Sequence, residues 1–268
     1  MASKAREVRE AQKVYWEKKL SQRLGVLSAQ GVSPEESEKD PVIRGIKSKI
    51  SDTKARIRAI AAAETKLVDM ARLKEEKTLA ELVRQIATHI NIPFTVGGGI
   101  NTVEDVSILL DNGADKISVN TSAVKRPDLI NELALQFGSQ CVVVAIDAKL
   151  TDKEWMVVTH GGRTPTNLKA TDWALEVAAR GAGEILLTSM ENDGTKNGFA
   201  LDITQQISDA VAIPVIASGG AGSMEHFAAV FNKAHADAAL AASIFHFREI
   251  PIPDLKRYLQ EQRIPVRL

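Results

Sequence analysis

INIPFTVGGGI at residues 90–100 is a short apolar run that ends on three glycines, and VAIPVIASGGAG at residues 211–222 repeats this order. Short apolar runs of this kind are typical of strands that are buried on both faces. Glycines directly after a strand indicate a tight turn or a backbone that lies close to a ligand. The two stretches therefore predict a fold in which one strand-to-loop unit occurs twice.

Helical and strand-like segments alternate from Thr78 to the end of the chain. The predicted strands, each preceded by a helical pattern, are PFTVG, DKISVN, CVVVAID, EILLTS, PVIAS and DAALAAS, with a hairpin near residues 151–162. Strands that alternate with helices form a parallel sheet. The sequence therefore predicts an α/β unit of six strands, either open or closed into a barrel.

Residues 1–77 have a different character. They carry 18 basic and 12 acidic side chains, whereas the remainder carries 16 and 22. We expect a first helix from Ala2 to Ala29, a helix start at Ser33-Pro34-Glu35-Glu36, and a long helix with an isoleucine seam at Ile43, Ile46, Ile50, Ile57 and Ile60. The prediction is an antiparallel helical hairpin, whose mixed charges favour a solvated face over nucleic-acid binding.

The composition excludes several classes of protein. Formal net charge is zero, and the single cysteine, Cys141, excludes an internal disulfide. The charged N-terminus does not resemble a secretory signal, and no apolar run is long enough to span a membrane. The histidines show no ligand spacing. We expect a cytoplasmic protein without a metal, another cofactor, nucleic acid or a membrane as its partner.

The repeat predicts two anion sites. Gly98 lies 121 residues before Gly219, and Thr121 lies 122 residues before Ser243. In each copy, one strand ends in glycines and the next ends near a small hydroxyl residue, which together offer donors to a phosphate. The alternative is that the glycines only permit tight turns. If the two sites face each other across a barrel, the ligand carries a phosphate at each end.

Further polar residues lie at the predicted strand ends. Asp147 closes CVVVAID at the edge where barrels carry their active sites, so an acid/base role competes with a helix cap or an ion pair with Lys149. Asp193 and Gly194 follow EILLTS, where they bind an anion or shape a turn. Thr188 and Ser218 end their strands at the same edge. Lys116 and Glu184 begin their strands, where an ion pair is the simplest interpretation.

The same offset exposes a gap near the N-terminus. CVVVAID and EILLTS need partners near residues 19–25 and 62–67, which read LSQRLGV and AETKLV. Neither segment resembles a strand that ends in a carboxylate or a hydroxyl. The sequence therefore predicts that the first quarter of a duplicated fold is absent and that the helical hairpin at residues 1–77 stands in its place.

From about residue 78 to residue 268, roughly 70% of the chain, the sequence resembles the cyclase subunit of imidazole glycerol phosphate synthase, a (βα)8 barrel of histidine biosynthesis. The stretches that carry this resemblance are PFTVGGGI, ADKISVNTSAV, FGSQCVVVAIDAK, RGAGEILLTS, DGTKNG, PVIASGGAG, MEHF and ADAALAASIFHFRE. The resemblance implies an incomplete (βα)8 TIM-type barrel with six βα units, preceded by an N-terminal helical hairpin.

The resemblance also implies a reaction. The family's substrate is a bisphosphorylated ribonucleotide, and ammonia from a glutaminase subunit enters at the amino-terminal face to form the imidazole ring. Asp147 matches one of two catalytic aspartates, and Lys116 and Glu184 resemble two of four residues at the ammonia gate. The predicted substrate-binding residues are Gly98, Gly99, Asn120, Thr121, Thr188, Asp193, Gly194, Ser218, Gly219, Gly220 and Ser243.

The chain departs from the family at its start. The first strand with its catalytic aspartate, the lysine loop, the second strand and two gate residues have no counterpart in residues 1–77. We therefore expect weak or no turnover, weakened coupling to a glutaminase, and self-association through open sheet edges. The alternatives are a phosphate-ligand-binding or interaction module without catalysis, and a recombined barrel fragment of natural or engineered origin.

Overall fold

A computed structural model describes residues 2–267, with side chains for residues 6–62 and 79–267. The chain divides into two compact units, Met1–Thr78 and Leu79–Leu268. The first three helices are α1 (Ala2–Ala29), α2 (Pro34–Ser37) and α3 (Pro41–Ala87), and α3 ends beyond the last residue of the first unit. At the start of α2, Ser33 accepts a hydrogen bond from the backbone N–H of Glu36, so the predicted capping box is present.

The first unit is an antiparallel helical hairpin, as predicted. Arg23 of α1 pairs with Asp40 at 2.7 Å, and further along both helices the Lys49 Nζ lies 4.3 Å from the ring centre of Trp16. In the second pair, the contacting residue has a lower number on α1 and a higher number on α3. This order of contacts requires that the two helices run antiparallel. Leu27 of α1 and Ile43, Ile46 and Ile50 of α3 are buried. The first part of the isoleucine seam is therefore shielded from solvent.

Helix α3 is longer than the sequence pattern suggests. It passes through Thr78 without a break, where the pattern separates two helices. The physical reason is the absence of glycine and proline between Gly45 and Pro93, so that nothing in this run of helix-forming residues ends the helix.

The second unit contains an α/β sheet with helices between its strands. The strands are β1 (Thr95–Gly97), β2 (Lys116–Val119), β3 (Val142–Thr151), β4 (Glu154–Thr159), β5 (Thr164–Lys169), β6 (Glu184–Ser189), β7 (Val215–Ser218) and β8 (Ala238–Leu240). The α-helices are α4 (Val103–Asp111), α5 (Thr121–Lys125), α6 (Asp128–Phe137), α7 (Ala170–Ala179), α8 (Leu201–Ala210), α9 (Met224–Ala234), α10 (Ser243–His246) and α11 (Ile252–Glu261). A 3-10 turn at Ser139–Cys141 precedes β3.

Six parallel strands form the main sheet in the order β1-β2-β3-β6-β7-β8, which confirms the predicted six βα units. One face of the sheet is covered by helices: Ile185 and Leu187 of β6 are buried in one apolar cluster with Val177 of α7 and Ile203 of α8. Glu184 and Thr188, at alternate positions of β6, belong to the opposite face. This alternation separates the packed core from the face that carries polar groups.

The predicted hairpin is part of a larger antiparallel extension. β3 continues beyond the parallel sheet and pairs with β4, and β4 pairs in turn with β5, a strand that the pattern did not predict. The sequence of β5, TPTNLK, is polar and contains Pro165, which is typical of an edge strand. Asp147 lies where the parallel sheet meets the antiparallel extension, because it is in register with Thr188 of β6 and with Val158 of β4.

The sheet is an incomplete barrel, as predicted. β1 and β8 are the two ends of the strand order, and within residues 2–267 neither is paired on its outer side. Two of the eight strands of a closed (βα)8 barrel are therefore lacking from this sheet. Among the helices described, none combines the length and the apolar character that a membrane crossing needs.

Candidate functional site

The carboxyl edge of the parallel sheet brings three predicted residues into one row. Asp147 is in register with Thr188, and Thr188 is in register with Ser218. Residues in register on neighbouring parallel strands point to the same face of the sheet. A carboxylate and two hydroxyls therefore lie side by side at the centre of this edge, on the face opposite the helices.

Asp147 occupies a partly buried position at the centre of the row. Burial is the main cause that raises the pKa of this carboxyl above its ordinary value, and the charge of Asp193 acts in the same direction. The Asn120 side chain opposes this shift, because its Nδ2 donates a hydrogen bond to Asp147 Oδ2 at 3.0 Å. A raised pKa makes this carboxyl a stronger base than an ordinary aspartate, which suits a group that exchanges a proton with a bound ligand.

Asn120 itself keeps an unused acceptor. Its Oδ1 is buried and has no hydrogen-bond partner among the described residues. A buried amide oxygen without a partner is rare in native structures. Asn120 therefore links Asp147 to the first of the two predicted anion sites.

The first predicted anion site, which consists of Gly98, Gly99, Asn120 and Thr121, follows β1 and β2. Gly98 and Gly99 have φ angles of 100° and 72°, and a Cβ on either residue would meet no described atom within 4 Å. Close packing therefore does not explain why these two positions are glycine. Their positive φ angles do favour glycine over other residues. Their backbone is open to an approaching ligand.

The second anion site follows β6, β7 and β8. A pocket of about 180 Å³ contains every residue that was predicted there, together with Lys196. The predicted residues that line it are Asp193, Gly194, Ser218, Gly219, Gly220 and Ser243. The structure thus brings together three loops that are separated by up to 50 residues in the sequence.

The glycines of the second site also serve packing. The backbone N–H of Gly198 donates to the Gly220 carbonyl at 2.7 Å, and a Cβ on Gly220 would overlap the Gly198 carbonyl oxygen. Asn192 fixes the same loop, because its Nδ2 donates to Gly198 O at 2.8 Å. At the second site, the glycines are therefore also required for a tight turn, because only glycine lets the backbone at Gly220 lie this close to the backbone at Gly198.

The two predicted anion sites lie on either side of Asp147 along one carboxyl edge. The first follows β1 and β2 and the second follows β6, β7 and β8, with β3 between them. From β2 to β7 there are three strand spacings of about 4.8 Å, which is about 14 Å along the sheet.

Lys116 and Glu184 meet on the sheet near the amino ends of β2 and β6. The Lys116 Nζ donates a hydrogen bond to Glu184 Oε1, and their side chains are 30% and 20% exposed. The structure therefore pairs the two predicted gate residues with each other. The ion pair agrees with the simplest interpretation of the sequence.

Three basic residues near the anion sites escaped the sequence analysis. Lys196 lines the second site and is held by Glu249 at 2.6 Å. His160 contacts Thr121 of the predicted first site through its backbone N–H, and Lys125 contacts the His160 ring. Lys196 could have been predicted from the sequence, because it lies in DGTKNG, the loop that follows a predicted strand. Lys125 and His160 could not, since they are far apart in the sequence.

Comparisons with known proteins give one consistent result. The family described as "Histidine biosynthesis protein" matches residues 28–251, starting within α1 and upstream of the motifs that begin near residue 78. Imidazole glycerol phosphate synthase subunit HisF of Flavobacterium johnsoniae is 60% identical over 208 residues, which cover 77% of this chain and 83% of that protein. HisF of Cytophaga hutchinsonii is 58% identical over 197 residues, with 74% and 78% covered. HisF of Bacillus pumilus is 56% identical over 193 residues, with 71% and 77% covered.

Proposed function

The chain belongs to the histidine biosynthesis protein family, and we propose that its second unit is an imidazole glycerol phosphate synthase cyclase with reduced turnover. The observation that carries this proposal is the arrangement of Asp147 between two anion sites on one sheet edge. The identity of 60% to a HisF subunit supports the same reaction class. The arrangement supports the proposal because it combines groups suited to hold phosphates with a carboxyl suited to transfer a proton.

The proposed ligand is a ribonucleotide with a phosphate at each end. At the first site, the open backbone of Gly98 and Gly99 and the hydroxyl of Thr121 hold one phosphate. At the second site, the loops at Gly194 and Ser243 hold the other. Backbone N–H groups and hydroxyls are common phosphate donors, because several of them can point at one anion. The middle of the ligand then lies over Asp147.

Asp147 is proposed to move protons during ring formation. Ammonia condenses with a carbonyl carbon of the bound substrate and water leaves. The new nitrogen then attacks the formimino carbon, and the imidazole closes as the aminoimidazole nucleotide leaves and takes up a proton. Burial raises the pKa of the Asp147 carboxyl. Such a carboxyl can accept a proton on one of its oxygens and later return it. The hydrogen bond from Asn120 keeps this carboxyl oriented.

Turnover is proposed to be slow because the family uses two catalytic aspartates. A general acid or base contributes about 10²–10⁴-fold to a rate, so the lack of one group predicts a loss of that order. Asp193 is a second carboxylate whose charge reaches Asp147. Any residual acid/base partner within the second unit is therefore proposed to be Asp193.

The test is an ammonia-dependent cyclase assay with the purified chain, and the HisF subunit of Flavobacterium johnsoniae is the positive control. We expect a rate about 10²–10⁴-fold below that of the control, and a further loss in an Asp147→Asn variant. Thr151→Ala, at the far end of β3, is a matched control that should keep the parent rate. A rate equal to that of the control enzyme would refute the impairment, and turnover that Asp147→Asn leaves unchanged would refute the assigned role.

A phosphate-ligand-binding module without catalysis is the second candidate. The observation that favours it is that both anion sites are built entirely from residues 98–243, whereas the catalytic pair is incomplete. Growth of a cyclase-deleted host without histidine separates the candidates, because only a working cyclase restores it. Phosphate binding without growth would support the second candidate.

Two kinds of partner are proposed. A glutaminase subunit is expected at the amino-terminal face near Lys116 and Glu184, with weak coupling, because two of the family's four gate residues are not found. A second copy of the chain is expected to pair with the open edges at β1 and β8, since unpaired strand edges promote association. Gel filtration with and without a HisF-partner glutaminase tests both expectations.

A further inference from the structure

The turn between β4 and β5 contacts the first anion site. The backbone N–H of His160 donates a hydrogen bond to the Thr121 Oγ1 at 2.9 Å. The Lys125 Nζ lies 3.4 Å from His160 Nε2. Thr121 and Lys125 are the first and last residues of α5 and are four positions apart, so they share one face of the helix. His160 is therefore in contact with both side chains of that face.

The contact with His160 determines what the Thr121 hydroxyl can offer. A threonine hydroxyl has one proton to donate and two lone pairs to accept with. His160 occupies a lone pair, because its backbone N–H can only donate. The hydroxyl proton of Thr121 is then the group that remains for a ligand oxygen, and the donated hydrogen bond fixes the position of the oxygen.

The hydrogen bonds around the His160 ring favour one tautomer. Thr159 Oγ1 donates to the Thr164 carbonyl at 3.3 Å and lies 3.1 Å from His160 Nδ1. The tautomer with its proton on Nδ1 satisfies both contacts and leaves Nε2 as an acceptor. Lys125 Nζ, which lies 3.4 Å from Nε2, can then donate to it.

We propose that His160 is a positioning residue of the first anion site, which holds the Thr121 hydroxyl and the Lys125 ammonium for one phosphate of the ligand. The inference rests on the proposed function, because it concerns the same ligand. It gives the first site a cation, as Lys196 does for the second site. A charge-assisted hydrogen bond to phosphate is stronger than a neutral one, so Lys125 would add to the affinity.

The chain offers a matched control for a change at His160. His160 and His235 have φ angles of 55° and 56°, in the left-handed region that asparagine tolerates better than most residues. His235 lies at the end of α9, where its ring contacts Asp209 at 2.7 Å. Replacement of either ring by asparagine therefore has a similar backbone cost, and only His160 touches the first anion site.

The experiment is a titration of the full chain with inorganic phosphate, followed by amide NMR. Gly99 and Thr121 report on the first site, and Gly194 and Ser243 report on the second. We expect Lys125→Ala and His160→Asn to raise the dissociation constant at the first site about tenfold, the loss typical of one hydrogen bond to a charged group. The second site should be unchanged, and His235→Asn should change neither site.

A double variant tests whether His160 acts through Lys125. If it does, the double variant should lose no more affinity than Lys125→Ala alone. His160→Gln, whose amide oxygen can accept from Lys125, should recover part of the affinity. An unchanged first site in both single variants, or equal losses at both sites, would overturn the inference and leave the proposed function standing. Absence of phosphate binding at both sites of the parent chain would overturn the inference and the proposed ligand together.

Discussion

Alanine at Gly220 should destabilise the second unit more than alanine at Gly98. Both residues have nearly the same φ angle, 99° at Gly220 and 100° at Gly98, so the backbone strain of a side chain is common to both. The surroundings differ, because a Cβ on Gly220 would overlap the Gly198 carbonyl oxygen and lie 2.9 Å from the Asn192 Cβ. At Gly98 the same Cβ would meet open space. The pair of variants therefore separates backbone strain from packing.

The expected free-energy changes follow from these two causes. An L-residue held in such a backbone conformation costs about 1–3 kcal/mol, which is the whole expected loss in Gly98→Ala. Overpacking adds about 1–3 kcal/mol, so Gly220→Ala should lose about 2–6 kcal/mol in total. The difference between the two variants, about 1–3 kcal/mol, measures how firmly the loop at Asn192 and Gly198 lies against the glycine turn.

Urea unfolding followed by tryptophan fluorescence measures both losses. Trp173 is buried in the core of the second unit, and a Trp16→Phe background removes the signal of the first unit. Phosphate titration of the same proteins adds a functional measurement, since Gly98→Ala should weaken binding at the first anion site alone. Equal free energies of unfolding for the two variants would show that no close packing exists at Gly220, and the structural account of the second site would then be wrong.

Three further predictions concern the acid, the ion pair and the edges. Because burial raises the folded-state pKa of Asp147, the wild type should lose stability as pH rises from the ordinary value of 3.8 through the raised pKa. At pH values above the raised pKa, Asp147→Asn should have a higher urea midpoint than the wild type, and at pH values below 3.8 the two midpoints should be equal. The opposite pH dependence would show that burial does not raise the pKa of Asp147. Lys116→Met should cost about 1–3 kcal/mol by leaving Glu184 unpaired, and Lys116→Met with Glu184→Leu should recover much of it; an unchanged unfolding free energy in the single variant would show that the pair contributes nothing. Sedimentation equilibrium should give a mass above the 29.0 kDa of one chain, and Thr95→Lys, at an exposed position of β1, should reduce it; a monomer at all concentrations would exclude pairing of the edges.

The sequence predicted the parallel sheet well because each strand is a short apolar run between a helix and a turn. The residues at the ends of these runs, such as Asp147 and Ser218, were found for the same reason, since parallel strands place their carboxyl ends on one edge. β5 was missed because its polar sequence with Pro165 lacks any strand pattern. The contact between Lys125 and His160 was missed because it depends on how the β4–β5 turn packs, which no local pattern encodes.

The position of the two proposed anion sites has a consequence for an incomplete barrel. Each proposed site includes the loop after one edge strand of the sheet, β1 for the first site and β8 for the second. Edges that lack a neighbour are the first parts of a sheet to open. A ligand bound to the loops after both edge strands would link the two ends of the sheet. Ligand binding should therefore stabilise the sheet against opening at β1 and β8. Amide exchange at β1 and β8 should then slow when the ligand is added, while the centre of β3 stays protected throughout.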